Sequence, residues 1–342
     1  MYTVGGLFSG VGGIELGFER TGQFKILWSN EIDKYACQTY RANHEHNLYE
    51  KSIYDLTAEE LKPVDVLTAG FPCQAFSIAG YRKGFNDERG ELFFEIMRLV
   101  DEFEDRGSKP KVLFLENVKN FSTHDNGKTI KIVEDEIRRR GYSFFIEVIN
   151  TSEVTTIPQN RERTFIVCFK EENGWDKMNN SSETASNFFN ELFPPKKIKG
   201  KKHVQEMLDS NIVSERFYYD ERYKMFDKIK EAVKEPNTSY QWRRKYVRKN
   251  KSNEFPTLTA NMGTGGHNVP LVKVSDGVRK LTPKECFALQ GFPDIKLPDL
   301  RGEAQLYKQA GNMVTVDVIE KIANSIYKAL KLKKRIQLKK VG

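Results

Sequence analysis

A single cysteine follows a short apolar run, in a position where its thiol could act as a nucleophile. Residues 64–69 are predicted to form a buried β-strand, and Cys73 comes just after it, beyond Pro72. Open α/β sheets bind ligands at the carboxyl ends of their strands, and a proline restricts the chain direction there. Cys73 is therefore a candidate attacking group, although an inert buried cysteine is the usual alternative.

A carboxyl group closes the next apolar run. Residues 111–115 are predicted to form a second strand, and Glu116 follows them directly. If the two strands are parallel neighbours, their spacing brings the Glu116 carboxyl within about 5–10 Å of the Cys73 thiol. The surrounding apolar sequence should raise the pKa of Glu116. A helix-capping or ion-paired glutamate is the alternative.

Two arginines occupy alternate positions further along the chain. A strand-like segment at 142–150 leads to a polar stretch that contains Arg161 and Arg163, and another apolar run follows. Alternate residues of an extended chain point to the same side. Arg161 and Arg163 could therefore hold an anionic or carbonyl ligand together, or they could pair with surface acids.

A glycine-rich turn opens the chain and indicates a nucleotide-binding loop. Gly10, Gly12 and Gly13 precede an apolar-periodic helix, whose free backbone amides could face a ligand. Their spacing departs from G-x-G-x-x-G, which disfavours a pyrophosphate and so a nicotinamide-dependent oxidoreductase. Glu31 follows a strand-like segment, about where an acid would accept from a ribose hydroxyl, and a further acid, Asp55, follows another short extended segment. A purely structural turn is the alternative, but the combination favours an adenosine cofactor without a diphosphate.

Six motifs carry a family resemblance, and they span nearly the whole chain in the family's order. They are Phe8-Ser9-Gly10-Val11-Gly12-Gly13, Pro72-Cys73-Gln74, Glu116-Asn117-Val118, Gln159-Asn160-Arg161-Glu162-Arg163, Arg279 to Cys286 with Gln290-Gly291-Phe292-Pro293, and Gly311-Asn312-Met313-Val314. This series resembles the cytosine-C5 DNA methyltransferases of bacterial restriction-modification systems.

The resemblance implies a chemical role for each polar residue. The Cys73 thiolate would attack C6 of a flipped-out cytosine, and Glu116 would protonate or hydrogen-bond N3 of the ring. Arg163 would hold the base carbonyl, with Arg161 supporting the site beside it. The methyl donor would be S-adenosylmethionine.

The same resemblance implies a cofactor pocket. Phe8 would stack on the adenine, Glu31 would bind the ribose, and Asp55 would accept from the adenine amino group. The other expected cofactor contacts are Gly10, Gly12, Gly13, Ile32, Pro72, Leu92 and Asn312. No metal site is expected, because the four cysteines form no C-x-x-C pair and the five histidines are scattered.

The charge distribution favours a nucleic-acid partner. The net charge is +8, and three stretches without acids carry five, six and seven basic residues, at 194–202, 240–251 and 328–342. Any one stretch could simply be a solvated face. The glycine-containing segment 78–90 is expected to be a mobile loop that closes over duplex DNA. The predicted DNA contacts are Arg82, Arg89, Gln159, Trp242, Arg243, Arg244 and Thr257.

These observations predict an α/β fold: a Rossmann-like, S-adenosylmethionine-dependent methyltransferase sheet with a second, smaller target-recognition domain. The catalytic domain is expected to be discontinuous, at 1–172 plus 305–342, with the target-recognition domain at 173–304. The last helix, 314–330, should pack on the first domain. The absence of a hydrophobic leader or membrane span predicts a cytoplasmic chain, and nothing indicates an obligate protein partner, so we expect a monomer.

Two alternatives stay open at this stage. A tRNA cytosine-C5 methyltransferase would share the catalytic motifs, although a second lobe with clustered basic charge favours duplex DNA. A non-catalytic DNA-binding protein could retain the fold, but the presence of Cys73, Glu116 and Arg163 together argues against it.

Overall fold

The protein is described by a computed structural model that covers residues 1–72, 91–170, 185–210, 213–264, 267–300 and 302–341. Cys73, Arg82, Arg89 and the predicted loop at 78–90 therefore lie outside the described residues.

A seven-stranded sheet forms the centre of the larger lobe. Its strands lie in the order β3-β2-β1-β4-β5-β7-β6, and all neighbours are parallel except that β7 runs antiparallel to β5 and β6. The predicted strands thus exist. Their bounds are β1 Tyr2–Leu7, β2 Phe24–Glu31, β3 Asn47–Glu50, β4 Val66–Gly70, β5 Val112–Val118, β6 Phe145–Asn150 and β7 Glu162–Phe169.

Both faces of this sheet are covered, which explains the continuous apolar runs in the central strands. Successive residues of a strand point to opposite faces, so Val66 joins one hydrophobic cluster and Leu67 the other. The α-helices are α1 Gly13–Arg20, α2 Lys34–Asn43, α3 Glu91–Asp105, α4 Lys128–Arg139, α5 Thr151–Val154, α6 Ala185–Leu192, α7 Phe226–Ala232, α8 Pro283–Ala288, α9 Ala304–Asn312 and α10 Val316–Val341. No helix in these described ranges has both the length and the apolar character needed to cross a membrane.

A smaller antiparallel sheet forms the centre of the second lobe. Its strands are β8 Ser239–Trp242, β9 Val247–Lys249, β10 Val269–Val274 and β11 Gly277–Lys280, in the order β11-β10-β8-β9. Tyr240, Trp242 and Leu271 belong to a hydrophobic cluster of its own. The sheet lies within the segment predicted to be a target-recognition domain.

One helix of that predicted domain packs on the larger sheet instead. The Phe189 ring of α6 lies 4.9 Å, between centroids, from the rings of Phe145 and Phe169. The predicted boundary at residue 173 therefore falls before a helix that contributes to the core of the large sheet.

The helix α10 packs on α1, as predicted for the final helix. A Cβ atom built on Gly17 would lie 2.5 Å from the Cβ of Ile319 and 3.0 Å from the backbone oxygen of Val316. The two helices therefore approach so closely that only glycine fits at position 17.

Replacement of Gly17 by alanine tests this contact. In an exposed helix the change would stabilise the fold by about 1 kcal/mol through helix propensity alone. Here the added methyl group overpacks the α1–α10 contact, and we expect a net loss of roughly 1–3 kcal/mol. Thermal unfolding of Gly17→Ala measures the effect, and an unchanged or higher midpoint would contradict the close packing.

Candidate active site

The adjacent ends of β4 and β5 form the centre of the candidate site. Gly70 pairs with Glu116 in the parallel ladder, and a Cβ on Gly70 would lie 3.6 Å from Glu116 Oε2. The Asn117 side chain donates to the Phe71 carbonyl oxygen at 3.0 Å. The Glu116 carboxyl thus lies where β4 ends and the chain continues towards Cys73, which is itself outside the described residues.

Glu116 is a buried carboxyl group beside the half-buried Arg163. It is 8% exposed, and Arg163 Nε lies 3.3 Å from its Oε1 atom. Burial raises the pKa of Glu116, while Arg163 and, more weakly, Arg161 act to lower that pKa. The raised pKa suits a group that must donate a proton or a hydrogen bond to a ring nitrogen.

Arg161 connects three distant segments and does not face open space. Its guanidinium donates to the carbonyl oxygens of Leu258 at 2.9 Å, Gly311 at 3.0 Å and Met313 at 2.6 Å. The residue is 1% exposed, and burial followed by the charge of Arg163 lowers its pKa well below the ordinary value. This arrangement fits the supporting role expected for Arg161, because Arg163 is the arginine next to Glu116.

The glycine loop after β1 adopts an unusual backbone conformation. Phe8 has φ 55°, Gly10 has φ 56° and Gly12 has φ 86°, all in the left-handed region. Phenylalanine rarely adopts this region, and such strain is concentrated at binding sites. Among the described residues, a Cβ on Gly10 would have no neighbour within 4 Å, so this part of the structure leaves space for a ligand beside the loop.

Glu31 fixes that loop through its backbone contacts. One carboxyl oxygen accepts from the Gly10 amide at 2.8 Å, and the other accepts from the amides of Ile32 and Asp33, each at 2.8 Å. An ionised carboxylate has about four acceptor positions, so one position is left for a ribose hydroxyl.

Most of the other expected cofactor residues have accessible side chains. Ile32 is 65% exposed, although isoleucine is usually buried, and Asp55 is also exposed. Pro72 and Asn312 are exposed and Leu92 is half-buried. A Cβ on Gly13 would lie 3.0 Å from Met313, which follows Asn312. An exposed apolar side chain, an exposed carboxylate and an open glycine loop together fit an adenosine-type cofactor.

Two of the predicted DNA contacts are wrong, because the structure buries their side chains. Gln159 is fully buried and donates to the Leu289 carbonyl oxygen at 2.7 Å. Trp242 is 5% exposed and packs in the core of the smaller sheet, so its ring cannot stack on a base. Gln159 thus links the segment before β7 to Leu289, and Trp242 belongs to the core of the smaller sheet.

The other predicted DNA contacts have accessible side chains or lie outside the described residues. Arg244 is exposed with φ 63°, Arg243 is half-buried, and both lie in the turn between β8 and β9. Thr257 is half-buried and donates to the Asn160 carbonyl oxygen at 2.7 Å. Arg82 and Arg89 belong to the undescribed segment.

The other three cysteines are poor nucleophiles. Cys37, Cys168 and Cys286 are all buried. Burial raises the pKa of Cys37 to about 12 and raises the pKa of Cys286 well above its ordinary value. A buried thiol that keeps its proton does not attack a substrate, so Cys73 is the cysteine still available for that role.

Two amide side chains, Asn117 and Gln290, have structural roles that the sequence motifs did not predict. Asn117 joins the ends of β4 and β5, as described above, and Gln290 donates to the Ala310 carbonyl oxygen at 2.8 Å while accepting from Thr315 at 3.2 Å. Both residues stand within the recognised motifs, so their position gave a signal. Their hydrogen-bond partners lie far away in the chain and could not be inferred from it.

Known proteins identify first the fold class of this chain and then the family to which it belongs. The fold resembles the crystal structure of S. pombe Dnmt2 methyltransferase, with a TM-score of 0.74 at 19% identity over 96% of this chain and 99% of that one. The predicted methyltransferase fold class is thereby confirmed. The family model for C-5 cytosine-specific DNA methylases matches residues 2–328. The chain belongs to this family.

Curated relatives support the same assignment along the full length. The chain is 47% identical to type II methyltransferase M.Bsp6I of Bacillus sp. (strain RFL6) over 334 residues, covering 96% of this chain and all of the relative. It is 36% identical to type II methyltransferase M.HhaI of Haemophilus parahaemolyticus over 344 residues, covering 96% of this chain and 94% of the relative.

Substitution of Arg163 tests how far this arginine lowers the pKa of Glu116. In Arg163→Met the buried carboxyl loses a neighbouring positive charge, so we expect the pKa of Glu116 to rise further. The carboxyl carbon resonance, assigned with Glu116→Gln, reports the titration. Lys119→Met, which removes an exposed cation paired with Glu162, is the control. A fall in the Glu116 pKa in Arg163→Met would contradict the assigned pairing.

Proposed function

We propose that this protein methylates C5 of cytosine in a specific duplex DNA sequence, with S-adenosylmethionine as the methyl donor and Cys73 as the nucleophile. We further propose that it acts as a monomer and serves as the modification enzyme of a restriction-modification system. The observation that carries the proposal is the buried Glu116 carboxyl, beside Gly70 and Arg163, where β4 leads towards Cys73.

Cys73, Glu116 and Arg163 each have a separate role in the proposed reaction. Unmodified C5 of cytosine is a poor nucleophile, so a bond from the Cys73 sulfur to C6 is needed to make C5 electron-rich. Glu116 supplies a proton or hydrogen bond to N3, which takes up the charge that this attack places on the ring. Arg163 lies where it can hold the base carbonyl beside Glu116.

The later steps restore the base and the enzyme. When bound, S-adenosylmethionine would supply an electrophilic methyl group to the C5 electron pair. The bond between that methyl group and the sulfonium sulfur would break, and S-adenosylhomocysteine would leave with the electron pair. A base, for which a water molecule suffices, then removes the C5 proton, and the bond between C6 and the Cys73 sulfur breaks. The sulfur leaves with its electron pair, which regenerates the Cys73 thiolate.

The cofactor would bind across the glycine loop. The Phe8 ring would stack on the adenine, and the fourth acceptor position of Glu31 would take a ribose hydroxyl. Asp55 would accept from the adenine amino group, and Ile32 would cover the base. Gly10, Gly12, Gly13, Pro72, Leu92 and Asn312 would complete the pocket.

The DNA must release its target base from the stack, at a cost of a few kcal/mol. Contacts with the phosphates can offset this cost, and the turn between β8 and β9 offers exposed basic residues for them. Arg243 and Arg244 are the residues of this turn that we assign to phosphate contact. Arg82, Arg89 and Thr257 remain further proposed contacts.

Transfer of a labelled methyl group tests the function directly. With methyl-labelled S-adenosylmethionine, we expect label in duplex DNA, at C5 of cytosines within one recognition sequence, and none in tRNA. Sequencing at base resolution identifies the methylated positions. Cys73→Ser should transfer no methyl group while it still binds DNA, because it lacks the nucleophile and keeps the phosphate contacts. Label in tRNA but not in DNA would instead indicate the RNA enzyme.

A mechanism-based trap tests the covalent step separately. In a duplex with 5-fluorocytosine at the target, the fluorine cannot leave as the proton does, so wild-type protein should form a stable adduct that denaturing electrophoresis detects. Cys73→Ser should form none, and an adduct with this variant would exclude Cys73 as the nucleophile.

The salt dependence of DNA affinity tests the assigned phosphate contacts. Replacing Arg243 and Arg244 together with alanine should reduce the slope of log affinity against log salt by about 2, because fewer counterions are released. Lys128→Ala with Lys131→Ala, on the exposed side of α4, is a matched loss of two charges and should leave the slope unchanged. Equal slopes for the wild type and the arginine variant would exclude the turn from phosphate contact.

A further inference from the structure

A buried carboxyl group lies directly behind the glycine loop and has no role in the proposed chemistry. Glu15, in the first turn of α1, is 1% exposed. Its Oε1 atom accepts from the Ser9 hydroxyl at 2.6 Å and from the Ser29 hydroxyl at 3.3 Å. A Cβ at Gly6 would lie 2.0 Å from this atom, so the glycine leaves room for the carboxyl group.

The surroundings of Glu15 favour an uncharged carboxyl group. Among the described residues no cation forms an ion pair with it, and its Oε2 atom is buried without a hydrogen-bond partner. Burial raises the pKa of Glu15, and the bonds from Ser9 and Ser29 oppose this only in part. A buried carboxylate without a counter-charge would be much more costly than the neutral acid.

The other titratable groups near Glu15 form a hydrogen-bonded chain that leads to the surface. Ser29 Oγ lies 2.7 Å from Tyr40 Oη, which lies 3.0 Å from His46 Nδ1, and His46 Nε2 lies 2.7 Å from Glu19 Oε1. His44 stacks on His46 and bonds through Nε2 to the Val11 carbonyl oxygen at 3.0 Å. Tyr40, His44, His46 and Glu19 are thus engaged with one another, and Glu15 contacts them only through Ser29.

We propose that Glu15 is a positioning residue for the cofactor loop and that it acts as the neutral acid. By holding the Ser9 hydroxyl, it fixes the backbone between Phe8 and Gly10, which is the strained part of the loop. The inference rests on the proposed function, because it concerns the loop assigned to S-adenosylmethionine. It adds a residue that does not touch the cofactor and that composition and motif spacing did not single out.

The test compares Glu15→Gln with Glu15→Ala. Glutamine keeps the shape and the acceptor oxygen of a neutral acid, whereas alanine leaves the Ser9 hydroxyl without its partner. Amide hydrogen exchange at residues 8–12, measured without cofactor, should be about tenfold faster in Glu15→Ala and within about twofold of wild type in Glu15→Gln. Equilibrium S-adenosylmethionine binding should weaken by about tenfold in Glu15→Ala only, and DNA affinity should not change.

Two further variants provide a control and a second test of the bond between Ser9 and Glu15. Glu45→Gln removes an exposed carboxylate and should match wild type. Ser9→Ala removes the hydroxyl itself, and it should accelerate exchange at residues 8–12 by about threefold or more even if Glu15→Ala does not fold. Wild-type exchange in Ser9→Ala would overturn the proposal.

Other outcomes distinguish three claims: that Glu15 is neutral, that it positions the loop, and that the protein binds S-adenosylmethionine. If Glu15→Gln is as impaired as Glu15→Ala, the negative charge is required and the neutral acid is excluded. If Glu15→Ala exchanges and binds cofactor as wild type does, Glu15 does not position the loop. If wild-type protein fails to bind S-adenosylmethionine while the exchange pattern is as expected, the proposed function fails and the positioning role stands.

Discussion

The parallel pairing of β4 with β5 is the constraint on which the site depends. It places Gly70 beside Glu116, and the antiparallel pairing of β5 with β7 places Arg163 opposite Val118, diagonal to Glu116 on the same face. A slip of one residue in either pairing would turn the carboxyl or the guanidinium to the opposite face of the sheet. The apolar residues that bury both faces fix the register, so core packing and site geometry have the same cause.

The strands and the residues at their ends could be predicted because a short apolar run followed by a polar residue has a local signature. Val66–Gly70 is a short run that leads through Pro72 to Cys73, and in Val112–Val118 the polar Glu116 directly follows four apolar residues. The glycine loop before α1 has its own signature. The motif order then supplied the roles of Glu116 and Arg163. The proximity of Glu116 to Gly70 depends on the parallel pairing of β4 with β5, whereas its proximity to Arg163 depends on the antiparallel pairing of β5 with β7.

The burial of a side chain by residues that are distant in the sequence could not be predicted from the sequence alone. Trp242 stands among arginines, but all four residues of β8 are buried, so the usual alternation of buried and exposed positions is absent. Gln159 stands in a polar stretch and is nevertheless fully buried, because Leu289, 130 residues away, accepts its hydrogen bond. Glu15 is similar: its position in a helix suggests a solvated carboxylate, and only the packing of β1 and β2 around it removes it from water.

The three carbonyl contacts of Arg161 also bear on the order of events during synthesis. Leu258 lies 97 residues further along the chain and Met313 lies 152 residues further along. Until the ribosome has released both segments, the guanidinium has no acceptors and its burial would be unfavourable. Contacts of such long sequence separation form slowly. We therefore expect Arg161 to stay hydrated in the nascent chain and to become fully buried only after translation has passed residue 313.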